Sequence, residues 1–387
     1  MDSLSNRNLP FQEEHQIYQD QIERFAQQEL LPNDARWDDQ GYVDREAWLK
    51  AGANGLLCPS MPEEYGGPGG DFLHSVLMME GLARHGLTGP GFFIHSEMVT
   101  PYIINFGSDE QKARWLPGMA TGEVIGAIAM TEPGAGSDLR SMRTNATRTD
   151  GGWLLNGQKV FISNGQTSDL VVVAAKTDLA DKNSITLFLV DTKSKGFQRG
   201  RNLEKIGIHG QDTSELFFED VFVPDDSVLG KPGEGFKQLM HGLARERLSI
   251  AIGCQSKAES ALQWTIDYVE QREMFGARLA DMQNTRFTLA EMKTDVEVGR
   301  AFVDDMLRQY LDGKLDATRA SMGKLWLTEM LGRVADKGLQ MHGGWGYMRE
   351  FPISRVWVAA RIERILGGSN EVMKEIIGRS LVGRGKA

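Results

Sequence analysis

Cysteine is scarce in this chain. Of 387 residues only Cys58 and Cys254 carry thiols, and they lie far apart. They form no CxxC pair and no Cys/His zinc spacing, so neither a disulfide framework nor a structural zinc organises the fold. Both read as small buried hydrophobes, and the pattern suits a reducing compartment. Long apolar runs are also missing. The longest, such as Leu170–Ala175, fall far short of a bilayer span. Met1–Pro10 is polar and lacks an apolar signal core or an Arg-rich transit pattern. The expectation is a cytoplasmic protein with no integral membrane segment; a trimmed mitochondrial form is the alternative. Basic charge is in deficit: 43 Lys and Arg against 53 Asp and Glu give a net charge of −10. That argues against nucleic-acid binding, which needs a basic face, but leaves room for a local basic pocket. No GxSxG nucleophile elbow, internal repeat or low-complexity tract occurs.

The rest is an ordinary globular composition, 41% hydrophobic and 25% charged, on a chain long enough for two or three domains. The first third reads as helical. Phe11–Leu30 has apolar residues near helical spacing and should end at Pro32. Asp44 is placed to cap Arg45–Gly52. Asp71–Arg84 and Pro90–Phe106 continue the pattern, and Ser108-Asp109-Glu110 opens another helix to about Ala120. Tyr65-Gly-Gly-Pro-Gly-Gly70 is a loop.

The middle changes character. In Trp153–Ile162, Asn156-Gly157 stands between two apolar runs and signals a hairpin. Leu170–Ala175, Ile185–Val190 and Leu216–Val223 are β-rich and bounded by turn residues. No long helical pattern separates them, which favours an antiparallel barrel or sandwich over a parallel sheet. From Phe236 helices return: Phe236–Gln271, Asp281–Leu311, Asp316–Met341, Pro352–Leu366 and Ser369–Val382, as in an antiparallel bundle. The fold class is α+β, with a helical domain over 1–124, a central β domain over 125–235 and a four-helix-bundle domain over 236–387.

Three glycine-containing segments are candidates for chemistry. In Ala129-Met-Thr-Glu-Pro-Gly-Ala-Gly-Ser-Asp138 the glycines allow close backbone approach to a ligand, and Thr131 and Ser137 add hydroxyls. A lone GxG is more often a structural turn. Gln340-Met-His-Gly-Gly-Trp-Gly-Tyr347 fits a helix C-terminus. His342 alone reads as a structural histidine; nothing stands at metal-ligand spacing to it, so no metal is expected. In Gly367-Gly-Ser-Asn-Glu371, Ser369 or Asn370 can cap a helix whose start favours an anion. By itself, Glu246 between Arg245 and Arg247 reads as a solvated helix charge.

Together these segments resemble the acyl-CoA dehydrogenase flavoproteins. The likeness runs from about Phe11 to the C-terminus and includes Ser96 in Gly91-Phe-Phe-Ile-His-Ser96 and the run Gln211-Asp-Thr-Ser-Glu-Leu-Phe-Phe218. Many family members carry their catalytic base where this chain has Gly367. Leu243-Ala-Arg-Glu-Arg-Leu248 resembles the alternative base site of the long-chain and isovaleryl branch, and Gly367–Lys374 resembles the long-chain ending. Ala359 departs from the family, many of whose members have an acidic residue there.

The resemblance implies FAD between the β domain and the bundle, acyl-CoA as substrate, an electron-transfer flavoprotein as acceptor, and a homotetramer. It implies Met130, Thr131, Gly136, Ser137, Phe161, Ile162 and Ser163 at the flavin or ligand. It implies Arg272, Phe275, Gln283, Gln340, His342, Gly343 and Gly344 at a partner's FAD, and Ser369, Asn370 and Glu371 in a closing loop. Ser137, Arg247, Gly367 and Gly368 would meet the substrate. Oxidation to a trans-2-enoyl-CoA needs a base at the α-carbon and a hydride acceptor, flavin N5, at the β-carbon. Glu246 is the expected base and Glu371 its rival, while the Gly367 N–H would polarise the thioester carbonyl. The alternatives are a branched-chain or isovaleryl-CoA dehydrogenase, a related oxidase or monooxygenase, and a non-catalytic acyl-CoA-binding or assembly protein.

Overall fold

The structure is a computed structural model that describes residues 4–87, 89–181 and 183–382. Residues 1–3 and 383–387, which fall in the expected first and last regions, lie outside these. The N-terminal third folds as helices α1 (Glu13–Phe25), α2 (Leu31–Gln40), α3 (Arg45–Ala53), α4 (Phe72–Arg84), α5 (Thr100–Phe106) and α6 (Asp109–Thr121). Asp71 caps α4 by accepting from Leu73 and His74 N–H, and Ser108 caps α6 by accepting from Gln111 N–H.

Two expectations change here. The first helix does not end at Pro32: a wide π turn, Ala26–Leu30, carries it into α2, where Pro32 sits in the first turn. That is a position where a missing N–H is tolerated. A second π turn, Ile94–Val99, likewise precedes Pro101. Asp44 stands at the start of α3, yet its side chain makes no cap bond. Its carboxylate accepts instead from Arg36, Trp37 and Gln40.

The middle third holds β1 (Gly126–Ala129), β2 (Asn145–Thr149), β3 (Gly152–Ser163), β4 (Leu170–Lys176), β5 (Ile185–Asp191), β6 (Phe197–Asn202), β7 (Thr213–Pro224) and β8 (Val228–Leu229). The strands pair in the order β6-β7-β3-β2-β4-β5-β8, with β1 beside β4. Most pairs are antiparallel, but β1 and β2 each run parallel to β4. β4 is buried on both faces. Val171, Val173 and Ala175 join the sheet's own core, while Leu170, Val172 and Ala174 pack with residues of α5 and α6. This double burial explains a run with no polar alternation.

Asn156-Gly157 is not a hairpin turn. It lies inside β3, at a register shift against β7, and the turn falls at Asp150-Gly151 between β2 and β3. Asn156 is tied across the shift by two hydrogen bonds of 2.9 Å with Asp220. Gly157 has φ +144°, and a Cβ there would lie 2.5 Å from Thr144 Oγ1. Glycine serves a bulge.

The last third comprises α7 (Gly235–Gln271), a small hairpin of β9 (Glu273–Met274) and β10 (Ala277–Arg278), then α8 (Gln283–Leu311), α9 (Ala317–His342), α10 (Pro352–Glu363) and α11 (Asn370–Val382). α7 packs on α8, α9 and α10 and also on α4, so one core runs from the N-terminal helices into the bundle. Among the described residues no helix is long and apolar enough to cross a membrane.

Arg300 on α8 clasps the two helical regions. It donates to Glu80 of α4 at 2.7 Å and to Glu259 of α7 at 2.8 Å, and Arg7 reaches Glu80 at 2.9 Å. Burial alone would raise the Glu80 carboxyl; the Arg300 and Arg7 charges override it and hold it at about 2. Its folded value lies below the ordinary 4.5. The clasp therefore stabilises above the ordinary value and fails as pH falls toward the lowered one. Arg300→Met should cost about 3 kcal/mol at neutral pH in urea denaturation and flatten the acid decline. An unchanged midpoint would show that the clasp contributes nothing.

Candidate active site

Glu246 lies in the fourth turn of α7 and is buried at 8% exposure. Its Oε1 accepts a hydrogen bond from the Tyr102 hydroxyl of α5 at 2.8 Å. Burial raises the carboxyl above its ordinary value, against the opposing pull of Tyr102 and Arg247. The flanking arginines leave in other directions, as a turn of about 100° per residue requires. Arg245 pairs with the buried Glu97. Arg247 donates to Ser321 Oγ at 3.1 Å and the Ala317 carbonyl at 3.4 Å, both on α9. Among the described residues no cation forms an ion pair with Glu246. The solvated reading of this carboxylate is therefore overturned.

Gly367 faces the same stretch of α7. It has φ +61°, and a Cβ there would lie 2.3 Å from Cδ1 of Ile250, one turn beyond Glu246. The loop is held from behind. Lys324 of α9, itself buried, donates to the Gly368 carbonyl at 2.9 Å and to Asn370 Oδ1 at 3.1 Å. Burial lowers this lysine to about 8. Asn370 turns onto α9, donating to Thr328 and Glu329, so its side chain is occupied. Ser369 caps α11 by accepting from Val372 N–H at 3.4 Å. Glu371 is exposed, and its own backbone N–H at the helix start, with the Ser369 hydroxyl, lowers its carboxyl. The rival carboxylate is thus solvated and acidic where Glu246 is buried and raised.

The loop after β1 is set by a second buried lysine. Lys159 of β3 donates to the Met130 carbonyl at 3.0 Å and to Glu132 at 2.8 Å. Glu132 in turn accepts from Arg143 and Thr144 N–H, and Val160 N–H donates to the Thr131 carbonyl. The turn that carries Gly136 and Ser137 is exposed, and a Cβ at Gly134 or Gly136 would meet nothing within 4 Å. Phe161 sits beside it at φ +61° and 65% exposure. Ser163 is half-buried in the β3–β7 ladder. Ile162 points into the sheet core, so its side chain is not available to a ligand.

The remaining expected residues lie elsewhere. Arg272 follows α7, about 39 Å from Glu246 at roughly 1.5 Å per residue. Phe275 is 92% exposed in the β9–β10 turn, and Gln283 opens α8. Gln340 and His342 end α9, where Tyr268 of α7 stacks on His342 at 4.3 Å. The His342 ring is buried, which lowers its pKa, and its Nδ1 lies 2.7 Å from the Gly338 carbonyl, a structural setting. Gly343 and Gly344 have open space where a Cβ would be. Within one chain, the Arg272 end of α7 therefore stands far from Glu246.

Sequence reasoning missed Tyr102, Lys159, Lys324 and Ile250. A lysine on the apolar stripe of α9, between Ala320 and Leu327, was a legible signal; Tyr102 gave none. Glu14, His15 and His74 bring possible metal ligands within 4.8 Å of one another. His15 and His74 are engaged there in helix caps with Gln12 and Asp71.

Family models cover nearly the whole chain: the acyl-CoA dehydrogenase N-terminal domain over residues 12–123, the middle domain over 127–221 and the C-terminal domain over 233–382. The chain is similar to the mitochondrial long-chain specific acyl-CoA dehydrogenase of Sus scrofa, with 48% identity over 375 residues, 96% of this chain and 87% of that one. It is 35% identical over 381 residues to the mitochondrial isovaleryl-CoA dehydrogenase of Oryza sativa subsp. japonica, 97% of this chain and 93% of that one. The acyl-CoA dehydrogenase of Geobacillus kaustophilus has the same fold, with TM-score 0.94, 45% identity and coverage of 96% and 99%. A Bacillus anthracis acyl-CoA dehydrogenase complexed with FAD matches with TM-score 0.91, 30% identity and coverage of 97% and 67%. The chain belongs to the acyl-CoA dehydrogenase family, whose members are FAD-dependent oxidoreductases of fatty-acid metabolism.

Proposed function

We propose that this protein oxidises a fatty acyl-CoA to the trans-2-enoyl-CoA with Glu246 as the base that takes the α-proton. The observation that carries the reading is the contrast between two carboxylates near Gly367. Glu246 is buried and raised, as a base working near neutrality requires, whereas Glu371 is exposed and lowered. The greater identity to the long-chain relative than to the isovaleryl one favours a straight fatty chain, with a branched acyl-CoA as the second outcome.

The residues present suit FAD. Open backbone at Gly134 and Gly136, the hydroxyls of Thr131 and Ser137, and the exposed Phe161 ring offer surface to a ligand. With Met130, Gly136 and Ser163, and with Ser369, Asn370 and Glu371 closing the other side, they would hold the cofactor. Ile162 and Asn370 would contribute backbone only. Arg272, Phe275, Gln283, Gln340, His342, Gly343 and Gly344 would serve a second copy's FAD within a homotetramer. FAD, when bound, supplies the hydride acceptor for the β-hydrogen at N5 and passes electrons to an electron-transfer flavoprotein. The chain's own groups do the rest. Glu246 accepts the α-proton. The Gly367 N–H donates to the thioester oxygen as negative charge grows there. Gly368 and Ser137 line the acyl-CoA, and the Arg247 charge lies behind the base.

Glu246→Gln keeps the shape and removes the proton acceptor. Flavin content and folding should be retained while turnover falls at least about a hundredfold; near-normal turnover would end the assignment. Moving the base to Gly367 meets two obstacles, the Ile250 side chain and a left-handed backbone that costs about 1 kcal/mol for an L-residue. Gly367→Glu with Glu246→Gly should recover little activity until Ile250→Ala is added, and then most on shorter chains. Equal activity of double and triple variants would show that the loop yields freely.

A further inference from the structure

We propose that Tyr102 is the positioning residue for the base: its hydroxyl holds one carboxylate oxygen of Glu246, so that the other oxygen is presented to the substrate. The inference rests on the reading of Glu246 given above. It is carried by three features of the backbone and packing.

The first is the hydrogen bond. Tyr102 is buried, and its hydroxyl lies 2.8 Å from Oε1. Among the described residues it is the only side chain hydrogen-bonded to Glu246. The second is the π turn Ile94–Val99 just before α5, where Thr100 N–H donates to the His95 carbonyl five residues back. One extra residue in the turn rotates everything after it by about 100°. That rotation is what turns Tyr102 toward α7. The third is Gly242, one turn before Glu246. A Cβ there would lie 2.9 Å from Glu246 Oε1 and 3.0 Å from the Tyr102 hydroxyl. Only a residue without a side chain leaves this slot open for the pair.

Other charges near the site are committed elsewhere. Arg247 on α7 reaches Ser321 and Ala317 on α9, and Lys324 of α9 holds Gly368 and Asn370. Arg245 is paired with Glu97 from the π turn, and His241 of α7 packs edge-on against Phe106. Tyr102 is thus the hydrogen-bond donor that stabilises the ionised base where burial opposes it, with the Arg247 charge as a lesser aid. In the step itself the α-proton passes to Oε2, while the Tyr102 proton stays on its own oxygen. The hydrogen bond is strongest to the carboxylate, so its loss favours the protonated form.

Tyr102→Phe removes one oxygen atom and leaves the packing. In the flavin-loaded enzyme the acid limb of kcat/KM against pH should move upward by about one unit, the scale of a hydrogen bond to a charged group. Below the limb this is about a tenfold loss, with a smaller change on the plateau. Infrared titration of the Glu246 carboxyl should show the same shift without turnover. Gly242→Ala presses a methyl group into the slot and should move the limb in the same direction while leaving both partners in place. An acid limb that superimposes on wild type in Tyr102→Phe overturns the proposal. That result is distinct from failure of the base assignment, which Glu246→Gln reports by continued turnover.

Discussion

A carboxylate taken out of water is strongly disfavoured as an anion unless fixed donors replace the lost solvation. Glu246 is such a carboxylate, and a single neutral donor, the Tyr102 hydroxyl, answers it. A neighbouring cation would have made it a weak base by stabilising the charge too well. The adjacent arginines pair elsewhere, Arg245 with Glu97 and Arg247 with α9, so Arg247 pulls on Glu246 only as a nearby charge and burial prevails. For the proposed role this holds the group between two demands: ionised enough to accept a proton, and uncomfortable enough as an anion to want one.

The rest of the site is built by the same device used twice. Two of the three glycine-containing loops are each fastened by a buried lysine that donates to a backbone carbonyl. Lys159 fixes Met130 and Glu132 under the first loop, and Lys324 fixes Gly368 and Asn370 under the second. Burial lowers both ammonium groups to about 8. The loops themselves can then stay bare. Their glycines leave backbone open to a ligand, while order comes from side chains underneath. Flexible sequence is converted into fixed donor positions, which is what stabilisation of a developing oxyanion needs.

The helices were the most legible part of the chain. The span expected for α7 differs from the observed one by a single residue at its start, because its apolar period persists for ten turns. Two of the misreadings share a cause. Pro32 and Asn156-Gly157 read as breaks, and each instead lies at or just after an inserted residue, a π turn or a strand bulge, that absorbs the local signal. A period-based reading assumes a constant phase, and an insertion changes it. Tyr102 was invisible for that reason too, since the π turn before α5 decides which residue faces α7. The importance of Glu246 came from resemblance. Its environment did not, since burial and the Tyr102 contact depend on elements some 140 positions apart.

If the base stands on a helix, as proposed, position 367 is free to be glycine. A loop-borne base must satisfy two requirements at one residue: an L-side chain aimed at the substrate, and a main-chain N–H aimed at its carbonyl. Here they are divided. α7 supplies a carboxylate on a rigid axis, and the loop supplies backbone alone. Gly367 and Gly368 both adopt left-handed φ values, a path that side chains disfavour. Ile250 then fills the space a side chain at 367 would need, in the turn of helix that follows Glu246. The two solutions exclude each other sterically, so a change of base position in such a fold requires the helix and the loop to change together.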